Sequence, residues 1–460
     1  MVSISSIIDS IKKDPSAVLG CLPVRAVCEQ LGIVFRQRVL DPATTVGLFI
    51  KQIVNGNSSC AKVRHLSERQ FTAQAYCDAR MRLPLAVLTV LSRRLCDSVR
   101  QMRESDPKSR AEDLFLTHSV FVLDGSNASM PDTAELQEEF GQPGCQKKGC
   151  GFPAAHLLAM FQVNTGMLSD IIVSPMRTHD LAKVSLLHPL MKEGDLPLGD
   201  TAFGSYSHFA LLLQGKMHGL MPNHQQRIVD FTPHRPFVMP GKTDGQSKGL
   251  PRSRWIKSLG DDDQLVEWFK PPSRPKYMTK EQYKALPDSI VVRELRRRVY
   301  RPELNQWVEL EIVTTLLDDQ AYPADKLVEL RLRRWQVEVD LRHLKTTMGM
   351  EVLKCKTVDG VRKEVAVFGL VYNLVRLIML EAAQRQNVQP DRISFADVLG
   401  WISLTKPGQP MPRFIINPLR KGRVEPRVKK RRPKPFDLMT RPRQILRNKL
   451  KTPGGKRKAA

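Results

Sequence analysis

The sequence predicts an α/β protein: a mixed sheet with helices, preceded by a helical module, interrupted by an all-β insertion and followed by a disordered basic tail. Three observations predict it. Apolar residues recur at helical spacing as far as about residue 110, then from Val120 in short strand-length runs interleaved with helical ones. From Arg420 to the end, 17 Lys or Arg stand against Glu425 and Asp437, with five prolines interspersed. At 460 residues and 42% hydrophobic, the chain is long enough for a large core in two or three modules. The divisions fall at 1–110 (helical module), 111–218 (sheet domain), 219–320 (β-rich insertion), 321–418 (sheet domain resumed, with C-terminal helices) and 419–460 (tail).

Within the first module, helical period is clear in Ala26 to Leu31, Val46 to Val54 and Leu85 to Met102, and Pro84 suits a helix start. Val120-Phe-Val-Leu-Asp124 reads as a buried strand ending at Asp124-Gly125, where glycine permits a turn. His156 to Val163 and Met167 to Ser174 read as two strands joined at Asn164-Thr-Gly166. Leu181 to Met191 reads as a helix, Pro197 to Asp200 as a short strand ending in a second acid, and the stretch through Leu213 as another helix. Arg227 to Phe231, Gln264 to Phe269, Ile290 to Tyr300 and Trp307 to Leu316 make the β-rich insertion. Acids at the ends of strands in such a sheet lie towards the edge where ligands gather, which singles out Asp124 and Asp200.

The net charge of +25 suits a polyanionic partner, nucleic acid before membrane. The tail carries 17 − 2 = +15 of it, leaving 25 − 15 = +10 on the folded part. No membrane anchor is expected, since the most apolar run, Val365 to Leu380, is short and carries Asn373 and Arg376; it reads as a core helix. With no secretory signal at the N-terminus, the eight cysteines are expected in a reducing, cytoplasmic compartment. Cys145 and Cys150, with His156 nearby, lack the second ligand pair of a zinc site and read as loop residues.

Leu330 to Met350 carries the third acid. On a helix of about 100° per residue, with Glu338 at zero, Arg331 falls at about +20°, Arg334 at about −40°, Arg342 at about +40° and Lys345 at about −20°. Leu330, Val337, Leu341, Leu344 and Met348 form an apolar stripe alongside. One such acid needs one cation, so four imply a further anion, such as a phosphate backbone. Taken singly, Asp124 reads as a turn residue, Asp200 as a helix cap and Glu338 as an ion-pair partner. Taken together they form the hard oxygen set that two Mg²⁺ ions require for phosphoryl transfer.

The motifs Asp124-Gly-Ser126, Met130-Pro-Asp132, Gly149-Cys-Gly-Phe-Pro153, Gly199-Asp200-x-x-Phe203 and Arg334-Trp-x-x-Glu338-x6-Lys345 resemble those of the DDE transposases of bacterial insertion sequences, in the family named after insertion sequence 4. The resemblance runs from about Cys21 to Leu419. Its signature is Tyr-x2-Arg-x3-Glu-x6-Lys; Arg334, Glu338 and Lys345 match in spacing, while Arg331 replaces the tyrosine and Thr201 stands where members often carry arginine. The resemblance implies a ribonuclease H-like core, with Asp124, Asp200 and Glu338 holding two Mg²⁺ (Mn²⁺ substituting), and Arg331, Arg334, Arg342 and Lys345 binding DNA. It also implies a nucleoid-associated homodimer that synapses the terminal inverted repeats, cuts them, in relatives through a DNA hairpin, and joins the 3′-hydroxyls to target DNA. Trp307 is a candidate to stack on a flipped base, against a simpler reading as a strand core residue. The competing functions are a noncatalytic DNA-binding protein of the same fold and a structure-specific nuclease without strand transfer.

Overall fold

The computed structural model describes residues 24–36, 38–144, 146–224, 226–239, 241, 249–301, 306–404, 410–418, 439 and 441–451. Five helices open the described chain: α1 (Val24–Gln30), α2 (Pro42–Val54), α3 (Cys60–Val63), α4 (Ala73–Arg82) and α5 (Leu85–Ser105). Polar caps begin them where the sequence allows. Asp41 accepts from the Thr44 N–H ahead of α2, and Thr72 from the Ala75 N–H ahead of α4, satisfying donors that a first helical turn leaves free. A further turn of helix, α6 (Pro107–Asp113), leads into the sheet.

The sheet holds ten strands: β1 (Leu114–Phe115), β2 (His118–Ser129), β3 (Ala154–Gln162), β4 (Leu168–Pro175), β5 (Leu196–Leu198), β6 (Leu220–Pro222), β7 (Ser253–Gly260), β8 (Asp263–Phe269), β9 (Ser289–Arg301) and β10 (Gln306–Thr314). Their order is β4-β3-β2-β5-β6-β10-β9-β8-β7, with β1 pairing β2 off this path. β2, β3 and β4 form an antiparallel meander, whereas β5 and β6 run parallel to β2. This is a mixed α/β sheet, as expected. Helix α7 (Ala134–Phe140) follows β2, α8 (Tyr206–Gln214) follows β5, and α9 (Lys280–Ala285) lies between β8 and β9.

Several local expectations are corrected. β2 does not end at Asp124-Gly125; its ladder with β3 continues to Ser129, so Asp124 sits in mid-strand opposite Ala159. Leu181 to Met191 is not one helix but three separate 3₁₀ turns, the last containing Pro189, which has no N–H to extend a helix. Arg227 to Phe231 is not a strand, β7 was not expected, and the insertion contains the helix α9. Nor is the insertion a sheet of its own: Ile312 to Thr314 of β10 pair with β6, so its hairpins extend the central sheet.

The remaining helices cover one face of the sheet. α10 (Ala324–Arg333), α11 (Trp335–Arg342) and a π-turn (His343–Thr347) occupy the stretch expected as a continuous helix, and α12 (Val358–Gln386) and α13 (Phe395–Leu404) follow. α12 is long and apolar enough to span a bilayer by length and composition, but 94% of its most apolar window is buried. Its polar residues explain themselves. Asn373 accepts from the Leu168 N–H and donates to the Leu168 carbonyl, both at 2.8 Å, Arg376 donates to the Thr165 carbonyl at 2.9 Å, and Tyr372 to that of Gly166 at 2.9 Å. These bonds fasten the β3–β4 turn to the helix and satisfy groups that burial would otherwise penalise. Side chains of β2 alternate between two cores. Val120 and Val122 pack with the helices, while Phe121 and Leu123 pack with Phe203 and Phe209 on the other side.

Arg443–Lys451 forms a helix, α14, where disorder was expected from 419 onward; 419–438, 440 and 452–460 lie outside the described residues.

Candidate active site

Alternation along β2 decides where Asp124 points. It continues the series Val120, Val122, and so faces the layer of α10 and α11, whose Leu330, Val337 and Leu341 belong to the same core. The apolar stripe expected on this helical stretch is buried throughout, from Leu330 to Met348, which turns Glu338 outward at the rim. Glu338 is 43% exposed, Asp124 17% and Arg334 14%.

Arg334 lies between the two acids. Its Nη1 is 3.6 Å from Asp124 Oδ1 and its Nη2 is 3.5 Å from Glu338 Oε1, so a single guanidinium joins a mid-sheet acid to one 214 positions later in the chain. The helix breaks at this residue, α10 ending at Arg333 and α11 starting at Trp335. Nη1 is buried without a hydrogen-bond partner among the described residues. Asp200 follows β5, the parallel neighbour of β2, and its Oδ1 accepts from the Ala202 N–H at 2.8 Å, capping a 3₁₀ turn at Thr201–Phe203. Its cap role and its nearness to Asp124 coexist. Burial first, then the negative charges of Asp200 and Glu338, push the Asp124 carboxyl up to about 6 against the pull of Arg334 and a Gly125 N–H.

Asp124 thus feels the charge of both other carboxylates, and Arg334 stands between it and Glu338. The donor chemistry fits a divalent hard cation, which would offset the burial and the like charges that raise Asp124 and take the positive role Arg334 now fills. The spacing is open: among the described residues, no group of three His, Cys, Asp or Glu side chains is close enough to hold a metal ion.

The other expected cations differ in setting. Arg342 is exposed; Arg331 and Lys345 are half-buried, and burial lowers the Lys345 ammonium despite Glu351 nearby. Trp307 is 61% exposed on β10 beside Tyr300, with ring centres 5.6 Å apart and Arg298 over its face, so it is no core residue. His156 Nε2 is 2.7 Å from Asp180 Oδ1, Cys150 is a free thiol, and Cys145 lies outside the described residues.

Sequence reasoning missed the Asp180–His156 pair. A Cβ at position 125 would lie 2.8 Å from Asp180 Oδ1, so glycine after Asp124 admits this carboxylate to the opposite face of the sheet, and not a chain turn. The only trace in the sequence is Gly125 inside a strand-like run, a sign of close approach.

A family model described as "Transposase DDE domain" matches residues 116–374, which is 259 of 460 positions. The transposase InsG of insertion sequence element IS4 from Escherichia coli (strain K12) is 22% identical over 334 residues, 68% of each chain. A piggyBac transposase, solved by cryo-electron microscopy in a synaptic complex with hairpin DNA, is similar at 10% identity and a TM-score of 0.36 over 79% of each chain. Because the matched family span takes in β2, β5, the insertion and α11, with all three acids, the chain belongs to the transposase DDE domain family, as a DDE transposase similar to that of IS4.

Proposed function

We propose that this transposase cuts DNA at the inverted-repeat ends of an insertion sequence and joins the freed 3′-hydroxyls to target DNA. The observation that carries the reading is the Arg334 bridge: residues from β2 and α11, within the matched span, meet at one charged, partly open site that also senses Asp200. The sheet order supports a ribonuclease H-like core, an antiparallel meander followed by parallel strands.

In this reading Asp124, Asp200 and Glu338 would hold two Mg²⁺ ions, which when bound activate the attacking oxygen and stabilise the leaving one. Arg334, released from the acids, turns its guanidinium to a DNA phosphate, for which its paired donors are suited. Lys345, Arg331 and Arg342 add positive charge along the same stretch and align the scissile strand. Trp307 offers an exposed face on which an unpaired base stacks. Two DNA ends require two active sites, so the working form is a homodimer.

The test is a duplex carrying the element's ends, incubated with Mg²⁺ and either wild type or Glu338→Gln. Wild type should give nicked and then joined products, and the variant neither, while retaining DNA binding. Cleavage by the variant at the wild-type rate removes Glu338 from the mechanism. Cleavage without joined products favours a nuclease, and binding without cleavage by wild type favours a noncatalytic protein.

A further inference from the structure

The start of α14, with Pro442 before it, is seated in the catalytic domain by a constellation that the chemistry above does not use. Arg443 Nε is 2.5 Å from Asp132 Oδ2, Arg443 Nη1 donates to the Gly151 carbonyl at 2.8 Å, and its backbone N–H donates to the Gly149 carbonyl at 3.2 Å. The guanidinium also lies over the Phe152 ring, 4.5 Å from its centre. Both charged side chains of the pair are largely buried, at 16% and 15% exposure. Pro442 packs on Gly149, whose φ of +78° favours glycine and where a Cβ would come within 3.1 Å of the proline. The receiving surface is therefore the Gly149-Cys-Gly-Phe-Pro153 motif together with Asp132, three residues beyond the end of β2.

A mere solubility tail needs no such seat. Ion pairs that are both partly buried and hydrogen-bonded to neighbouring carbonyls define a position, unlike exposed ones. After Arg443 the chain carries Arg447, Lys449, Lys451, Lys456, Arg457 and Lys458 with no acid. We infer that Arg443 is an anchor that delivers these six cations to DNA phosphates from a fixed point on the catalytic domain. That point lies beyond Ser129, which is five residues from Asp124 and so about 17 Å along β2. The inference rests on the DNA reading above and adds to it the place from which the basic tail acts. An anchored tail binds at high effective concentration and in register with the active site; an unanchored one keeps its charge but loses both.

Two measurements on the full chain test this. Without DNA, hydrogen exchange over 146–153 should rise several-fold in Arg443→Glu and return towards wild type in Arg443→Glu/Asp132→Arg, where the pair is reversed. Unchanged exchange in the single variant means that no seat exists and overturns the anchor. With a duplex bearing the element's ends, Arg443→Glu should bind about tenfold more weakly than Arg457→Glu, which makes the same charge change elsewhere in the tail. The reversed pair should recover that tenfold. Equal weakening by both single variants would reduce Arg443 to one cation among many and overturn delivery. If wild type binds no duplex, the DNA reading falls and delivery with it, while the exchange result still reports on the seat.

Discussion

Replacing Asp124 by asparagine should stabilise the metal-free protein while abolishing its chemistry. The carboxyl is 17% exposed and stands near two other acids, and its proton affinity is raised from 3.8 to about 6 chiefly by burial. At about 1.36 kcal/mol per tenfold change in proton binding, keeping it ionised at pH 7.5 costs about 3 kcal/mol, an order-of-magnitude figure. Asparagine removes that charge at nearly constant shape. The sign follows from proton counting: between 3.8 and about 6 the folded state binds more protons than the unfolded, so wild-type stability falls as pH rises through this window. The penalty is complete above about pH 6 and shed as pH falls towards 3.8. Urea unfolding in EDTA should therefore show Asp124→Asn more stable by about 3 kcal/mol at pH 7.5 and by about half that at pH 5. A variant no more stable than wild type at pH 7.5, or a gap that ignores pH, would refute the argument that burial and like charge strain this acid.

Three further outcomes can be checked. Arg293 and Asp263, at 1% and 4% exposure, form a two-point ion pair between β8 and β9; Arg293→Ala strands a buried carboxylate and should cost about 3–5 kcal/mol in chemical denaturation. Trp307→Ala should leave the melting temperature nearly unchanged yet weaken binding to a duplex with an unpaired base by about 1–3 kcal/mol, read by titration against a fully paired control. Gly166→Ala should destabilise by about 3 kcal/mol, because φ is +65° and the added carbon would fall 1.7 Å from Arg376 Nη2; differential scanning fluorimetry of this variant measures it.

Much of the fold was legible because periodicity is local. The stripe from Leu330 to Met348 is buried as its spacing demanded, the run Val365 to Leu380 lies inside α12, and the two strands around Gly166 pair as a hairpin. The candidate site was legible in part, as Arg334, Glu338 and Lys345 keep a family spacing and Asp124 and Asp200 follow strand-like runs. What failed depended on distant partners. β2 continues past Gly125 because β3 supplies its ladder to Ser129, and that glycine serves Asp180, 55 positions later.

By itself the sequence determined which residues face inward, which stretches carry charge and which three acids are available, since alternation and helical period are properties of neighbouring residues. Only the tertiary structure decided that β10 would join the insertion to the core sheet, that Arg334 would stand between Asp124 and Glu338, and that Arg443 would find Asp132. Each of these joins segments far apart in the chain, where the choice among chemically similar partners is made by packing and mutual desolvation, and no local pattern encodes it.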